Sequence, residues 1–153
     1  MIIRRAVKSD LSKVYLIEKN SFQEHWSKRF FDYFLDSSNT VFLVTVEDDI
    51  LGYIIWQLES AGGAKNFEEL RTGHLLNLAV REGYRRRGIA SSLLERLFKE
   101  IASYKPVATY LEVACSNQAA VNLYLKFNFQ ILSVIPKYYR FGGDAYLMVK
   151  VLF

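Results

Sequence analysis

Glu112 is the only charged residue in the apolar run TYLEVA (109–114), and a carboxylate in that setting is a candidate proton acceptor. Desolvation in such a strand would disfavour the ionised form of a carboxylate and favour a general base. A structural hydrogen bond or a sheet-end charge is the plainer alternative. A second constellation is basic: Arg85, Arg86 and Arg87 run into Gly88 in EGYRRRGIASS (82–92), where a helical pattern begins. A helix start disfavours cations through its dipole, so the crowding asks for an anion. First-turn N–H groups lack intrahelical partners, and Gly88 with Ala90 leaves the backbone open to a phosphate. The guanidinium groups add charge-assisted bonds. The alternative is a solvated basic turn.

Other chemistries are poorly supplied. Gly-Lys-Ser/Thr does not follow the arginines, so the P-loop is absent, and no Gly-x-Gly-x-x-Gly occurs. Cys115 is the single cysteine, which excludes an internal disulfide and a cysteine-based zinc site, and no histidine stands near it in a nucleophile arrangement. Two histidines, His25 and His74, leave little material for a metal centre, and none is expected.

The elements that must position these groups are legible from periodicity. IIRRAV (2–7) reads as a strand, and the next helix is capped by Ser9 or Asp10. SKRFFDYFLDSS (27–38) is a second helix, capped by Ser27, after the loop SFQEHW (21–26). Two β-rich runs around Asp48-Asp49 form a hairpin. The polar stretch SAGGAKNFEELRT (60–72), with Gly62-Gly63, reads as flexible. HLLNLAV (74–80), opened by His74, is apolar on both faces, as a central strand is. Ile89, Leu93, Leu94, Leu97 and Ile101 then recur at helical spacing, and this helix should end near Lys105, before Pro106. VATYLEVA (107–114) is a strand, and NQAAVNLYLKF (117–127) a helix capped by Ser116 or Asn117. FQILSVI and DAYLMVKVL are the last strands, on either side of PKYYRFGG. The expected order is β-α-α-β-β-β-α-β-α-β-β, an α/β fold with a mixed central sheet of about seven strands and helices on both faces.

Length and composition set the frame: 153 residues, 51% hydrophobic and 24% charged, suit one domain over 1–153 with a sizeable core. A formal charge of +4 is too mild and dispersed to argue for nucleic acid. The N-terminus does not resemble a signal peptide, and no apolar run approaches the roughly 20 residues of a membrane span. A cytoplasmic, soluble protein is expected.

LAVREGYRRRGIASSLL resembles the acetyl-coenzyme A motif of the GNAT N-acetyltransferases, whose Arg/Gln-x-x-Gly-x-Gly/Ala is met by Arg85, Gly88 and Ala90. YLEVACSNQAAVNLYLKFNF resembles the second half of that fold. With PKYYRFGGDAYLM it is similar to the subgroup that acetylates protein N-termini, RimI-like and archaeal or eukaryotic Nα-acetyltransferase catalytic subunits. The resemblance implies the GNAT fold, acetyl-CoA as cosubstrate, and direct attack by the α-amine of a protein or peptide in a ternary complex. It implies that Leu78, Ala79 and Val80 hold pantetheine, Leu78 and Val80 through main chain. Arg85, Arg86, Arg87, Gly88, Ile89, Ala90 and Ser91 would form the phosphate turn, and Asn117 would contact the pantetheine arm.

For catalysis the resemblance implies Glu112 as base and His74 as an auxiliary that orders a water. Taken alone, a histidine at a strand start is more often structural. It also implies Tyr124, next to cofactor, as donor to the leaving thiolate. Tyr138 and Tyr139 would close over the peptide, with edge-strand packing as the alternative, and Phe22 and Glu24 would line the opposite wall. There Gln23 replaces a proline and Trp26 a tyrosine, a departure that leaves first-residue preference open. A ribosome or an auxiliary subunit is a candidate partner. Lysine or small-molecule acetylation, a non-catalytic coenzyme A binding module, and a basic nucleic-acid binding domain are the competing readings.

Overall fold

The computed structural model describes residues 1–61, 70–140 and 142–152. The strands are β1 (Ile2–Arg5), β2 (Thr40–Glu47), β3 (Asp49–Ala61), β4 (Leu70–Val80), β5 (Ala108–Ala114), β6 (Gln130–Ile135) and β7 (Ala145–Val151). The helices are α1 (Leu11–Ser21), α2 (Lys28–Asp36), α3 (Ile89–Ile101) and α4 (Gln118–Lys126). The strands form a seven-stranded mixed sheet in the order β1-β2-β3-β4-β5-β7-β6. β4 and β5 are parallel, from Thr72↔Ala108 to His74↔Tyr110. The β1–β2, β2–β3, β5–β7 and β6–β7 pairs are antiparallel.

The chain falls into two compact units. One comprises Met1–Gln57 and Leu76–Tyr104. Its core gathers Val14 and Ile17 of α1, Phe31 of α2, Phe42, Val44, Tyr53 and Ile55 of the hairpin, and Ala79 of β4. Asp48, with φ 61, makes the hairpin turn, as an aspartate can in the left-handed region. Gly52 marks a close approach: a Cβ there would meet Ala79 O at 3.1 Å and Ile89 Cγ2 at 3.2 Å. The other unit comprises Leu58–Leu75 and Lys105–Phe153. β5 lies within it between β4 and β7, with Leu111 and Val113 buried alongside Met148, Val121 and Phe129.

Several boundaries differ from the sequence expectation for local reasons. α1 is led by a 3-10 turn, Lys8–Asp10, and Asp10 does not cap it with its side chain. The Asp10 carboxylate instead accepts the Val7 N–H at 2.8 Å and a bidentate bond from Arg4 at 2.7 and 3.0 Å. Ser27 occupies the N-cap of α2 without a side-chain bond, whereas Asn117 caps α4 by accepting the Ala120 N–H at 3.2 Å. His74 does not open its strand, because β4 already begins at Leu70. α3 ends at Ile101 and a 3-10 turn carries the chain to Tyr104. The expected flexible stretch lies largely outside the described residues; its flanks are the end of β3 and the start of β4. Among the described residues no helix is long and apolar enough to cross a membrane.

Candidate active site

The second unit holds a cluster of polar side chains assembled from three strands. His74 of β4 has a carboxylate at each ring nitrogen: Glu112 Oε2 of β5 is 2.7 Å from Nε2, and Glu59 Oε1 of β3 is 3.0 Å from Nδ1. Both contacts are hydrogen bonds when both nitrogens carry protons, which is the imidazolium form. Burial by itself would lower the His74 pKa. The hydrogen bond and charge of Glu112, joined by those of Glu59, outweigh it and hold the ring above the usual histidine value.

Tyr110 completes the cluster. Its ring stacks on His74 with centroids 4.2 Å apart and planes 16° from parallel, and its hydroxyl donates to Glu59 Oε2. Burial and then the Glu59 carboxylate push this phenol far above its ordinary pKa, so it stays protonated. Tyr110 and Glu112 share a face of β5 because side chains alternate along a strand.

The sequence singled out Glu112 and His74, and the structure brings them together. It did not single out Glu59 or Tyr110. Tyr110 was recoverable from its i, i+2 relation to Glu112, and Glu59 from being a carboxylate in the β-rich run WQLE.

The remaining candidates in this unit lie around the same strands. Tyr124 is buried in α4, its ring 5.7 Å from Phe129, and burial followed by the nearby Tyr139 raises its pKa well above that of a free phenol. Tyr138 and Tyr139 meet edge to face at 4.9 Å. Their turn is tight: the Tyr139 N–H donates to Gly143 O at 3.1 Å, the Gly142 N–H to Tyr139 O at 2.9 Å, and the Lys137 N–H to Asp144 Oδ1 at 2.9 Å. Tyr138 is 46% exposed and Tyr139 half-buried. The Tyr138 phenol is near enough to Tyr110 to be felt electrostatically. Asn117 spends its side-chain carbonyl on the α4 cap.

The arginine turn belongs to the first unit. It winds through three left-handed residues, Gly83 (φ 88), Arg86 (φ 64) and Gly88 (φ 80), and Gly88 is the N-cap of α3. Ile89 is buried in the core, while Ala90 and Ser91 sit half-buried in the first helical turn, which carries no acidic residue. Arg86 and Arg87 are exposed, and Arg87 and Arg81 both flank the Tyr84 ring, at 5.1 and 5.6 Å. Arg85 is committed within the chain, donating to Val80 O at 3.0 Å and to Ser21 Oγ at 3.2 Å. Cationic side chains and a helix N-terminus without carboxylates make a donor set suited to a polyphosphate. Leu78, Ala79 and Val80 occupy the end of β4 just before the turn. Phe22 packs half-buried on the core of this unit, and Glu24 is half-buried beside it in the chain.

Among the described residues no group of histidine, cysteine and carboxylate side chains is arranged to hold a metal ion. The model of the acetyltransferase (GNAT) family matches residues 7–129. An N-alpha-acetyltransferase of Saccharolobus solfataricus is 36% identical, over 98% of this chain and 92% of its own. The N-terminal acetyltransferase A complex catalytic subunit NAA10 of Arabidopsis thaliana is 29% identical, over 98% of this chain and 77% of its own. Among solved structures, Arabidopsis thaliana NAA60 in complex with a bisubstrate analogue superposes with a TM-score of 0.87, at 23% identity, over 99% of both chains. With the family model covering most of its length and a relative of this identity, the chain belongs to the GNAT acetyltransferase family.

Proposed function

We propose that the chain transfers an acetyl group from acetyl-CoA to the α-amino group of protein or peptide N-termini. The observation that carries this reading is His74 held between Glu59 and Glu112. One imidazolium and two carboxylates leave a net charge of −1, which attracts a protonated N-terminus. An α-amine, with a pKa of about 8, needs only a mild base to become a nucleophile, whereas a lysine amine at about 10.4 needs a stronger one. Glu112 takes that proton on Oε1, the oxygen not bonded to His74, directly or through one water. His74 and Glu59 hold the Glu112 carboxylate in place. A relative 36% identical and named an N-alpha-acetyltransferase supports the same acceptor.

Bound acetyl-CoA supplies the acetyl thioester. Arg86, Arg87 and the open backbone from Gly88 to Ser91 would hold its phosphates, Arg85 would brace the turn, and Leu78 to Val80 with Asn117 would hold the pantetheine arm. Tyr124 would donate a hydrogen bond to the leaving thiolate. Its raised pKa keeps the phenol proton in place and makes hydrogen bonding, rather than full proton transfer, its contribution. Tyr138 and Tyr139 would form one wall for the peptide and Phe22 and Glu24 the other, since a tyrosine provides both an apolar face and a hydroxyl. A cytoplasmic setting, with the ribosome or an auxiliary subunit delivering nascent chains, belongs to the same reading.

The test is acetyl transfer to three acceptors: peptides with free α-amines, Nα-blocked peptides carrying lysine, and a polyamine. α-Amine peptides should be preferred, and Glu112→Gln should lower kcat about 100-fold or more with the KM for acetyl-CoA unchanged. Faster transfer to lysine or polyamine would replace this reading with lysine or small-molecule acetylation. Cofactor binding without turnover would replace it with a binding module.

A further inference from the structure

Glu18 is placed where a carboxylate should not be. It lies in the last turn of α1 and is 1% exposed. Burial penalises its charge, and the negative end of the helix dipole penalises it again. Burial accordingly raises its pKa, while hydrogen-bond donors from β3 and β4 oppose the shift.

Those donors define its role. The Tyr53 hydroxyl of β3 donates to Oε1 at 2.9 Å, and Asn77 Nδ2 of β4 donates to Oε1 and, at 3.2 Å, to Oε2. At the helix end the main-chain carbonyl of Glu18 accepts the Phe22 N–H at 3.1 Å. Residue 18 therefore ties the start of the loop 22–26, held by its carbonyl at Phe22, to the β3 and β4 side chains that hold its carboxylate. The Trp26 ring is seated independently, 5.3 to 5.9 Å from Phe30, Phe31 and Phe34. Tyr53, which anchors the carboxylate, meets Phe31 edge to face at 5.8 Å.

We propose that Glu18 is a positioning residue for the acceptor: its carboxylate pins the end of α1, where the 22–26 loop starts, on β3 and β4, and so fixes how Phe22 and Glu24 meet the first residue of the peptide. The proposal rests on the Nα-acetyltransferase reading above. It accounts for a buried charge that the transfer chemistry does not use.

Glu18→Ala removes the pin, and Glu18→Gln keeps its shape with weaker, uncharged acceptance. Glu18→Ala should raise the peptide KM about tenfold, and Glu18→Gln about threefold, with the KM for acetyl-CoA unchanged. Discrimination among peptides with different first residues should narrow in the same order. Hydrogen exchange at the Phe22 amide should quicken in both variants. A folded variant with a lowered Tm but wild-type peptide KM, first-residue preference and Phe22 exchange overturns the proposal. If Glu18→Ala does not fold, the Glu18→Gln measurements decide by the same criteria. Should the wild-type protein prefer lysine side chains, the functional reading fails, and Phe22 exchange in Glu18→Gln still decides whether Glu18 pins the start of the loop.

Discussion

A histidine between two carboxylates keeps its charge at a pH where an isolated histidine has begun to lose it, and that sets the pH behaviour of the His74 cluster. With a folded pKa raised above the ordinary histidine value of about 6.5, the stability contributed by the imidazolium is fully present below that value and is lost as pH rises through the folded one. Thermal melts of wild type and His74→Gln should therefore differ most in mild acid and converge in base. A gap that is constant across pH would contradict the flanked imidazolium. Glu59→Gln removes one of the two charges that raise the pKa, so the pH at which the melts converge should move down. At this scale the sequence was informative where a residue broke its own context. Glu112 stood out in an apolar strand, and His74 beside an apolar run. Glu59 did not, because its role comes from a strand neighbour 15 residues away rather than from its own surroundings.

Elements were more legible than their ends. Among the described residues, alternation and helical spacing anticipated the seven strands and four α-helices in order, since each buries one face and the pattern of burial is written in the side chains. Boundaries depended on tertiary competition: Asp10 was drawn from its capping role by Arg4 and the Val7 N–H. Where a cap did form, it is expected to count. Asn117→Ala should cost about 1 kcal/mol, read as a lowered urea midpoint with an unchanged slope. Gly52→Ala presses a methyl against the Ala79 carbonyl, which has little room to yield, and should cost about 1–3 kcal/mol in the same assay. A neutral result would mean that α3 can shift away from β3 at Ile89 and Leu93.

For the whole molecule, the sequence reading of a single mixed sheet agrees with the seven strands observed. What periodicity does not reveal is that each compact unit is drawn from two separate stretches of chain. That partition depends on pairings between residues distant in sequence, such as His74 with Tyr110 across the parallel ladder. Local pattern carries no information about them. The arginine turn and the His74 cluster fall in different units.

The chain passes from the first unit into the second for the last time between Tyr104 and Lys105, at an exposed residue with φ 52. A polypeptide divided at that bond yields one piece carrying Glu59 and His74 and another carrying Glu112, Tyr124 and the tyrosine pair. On the roles proposed above, neither piece should catalyse alone, and acetylation should return only when the two are mixed, at a rate set by their reassembly. The enzyme is thereby a natural candidate for a split reporter, in which two fused partners that bind each other switch on the labelling of free α-amines.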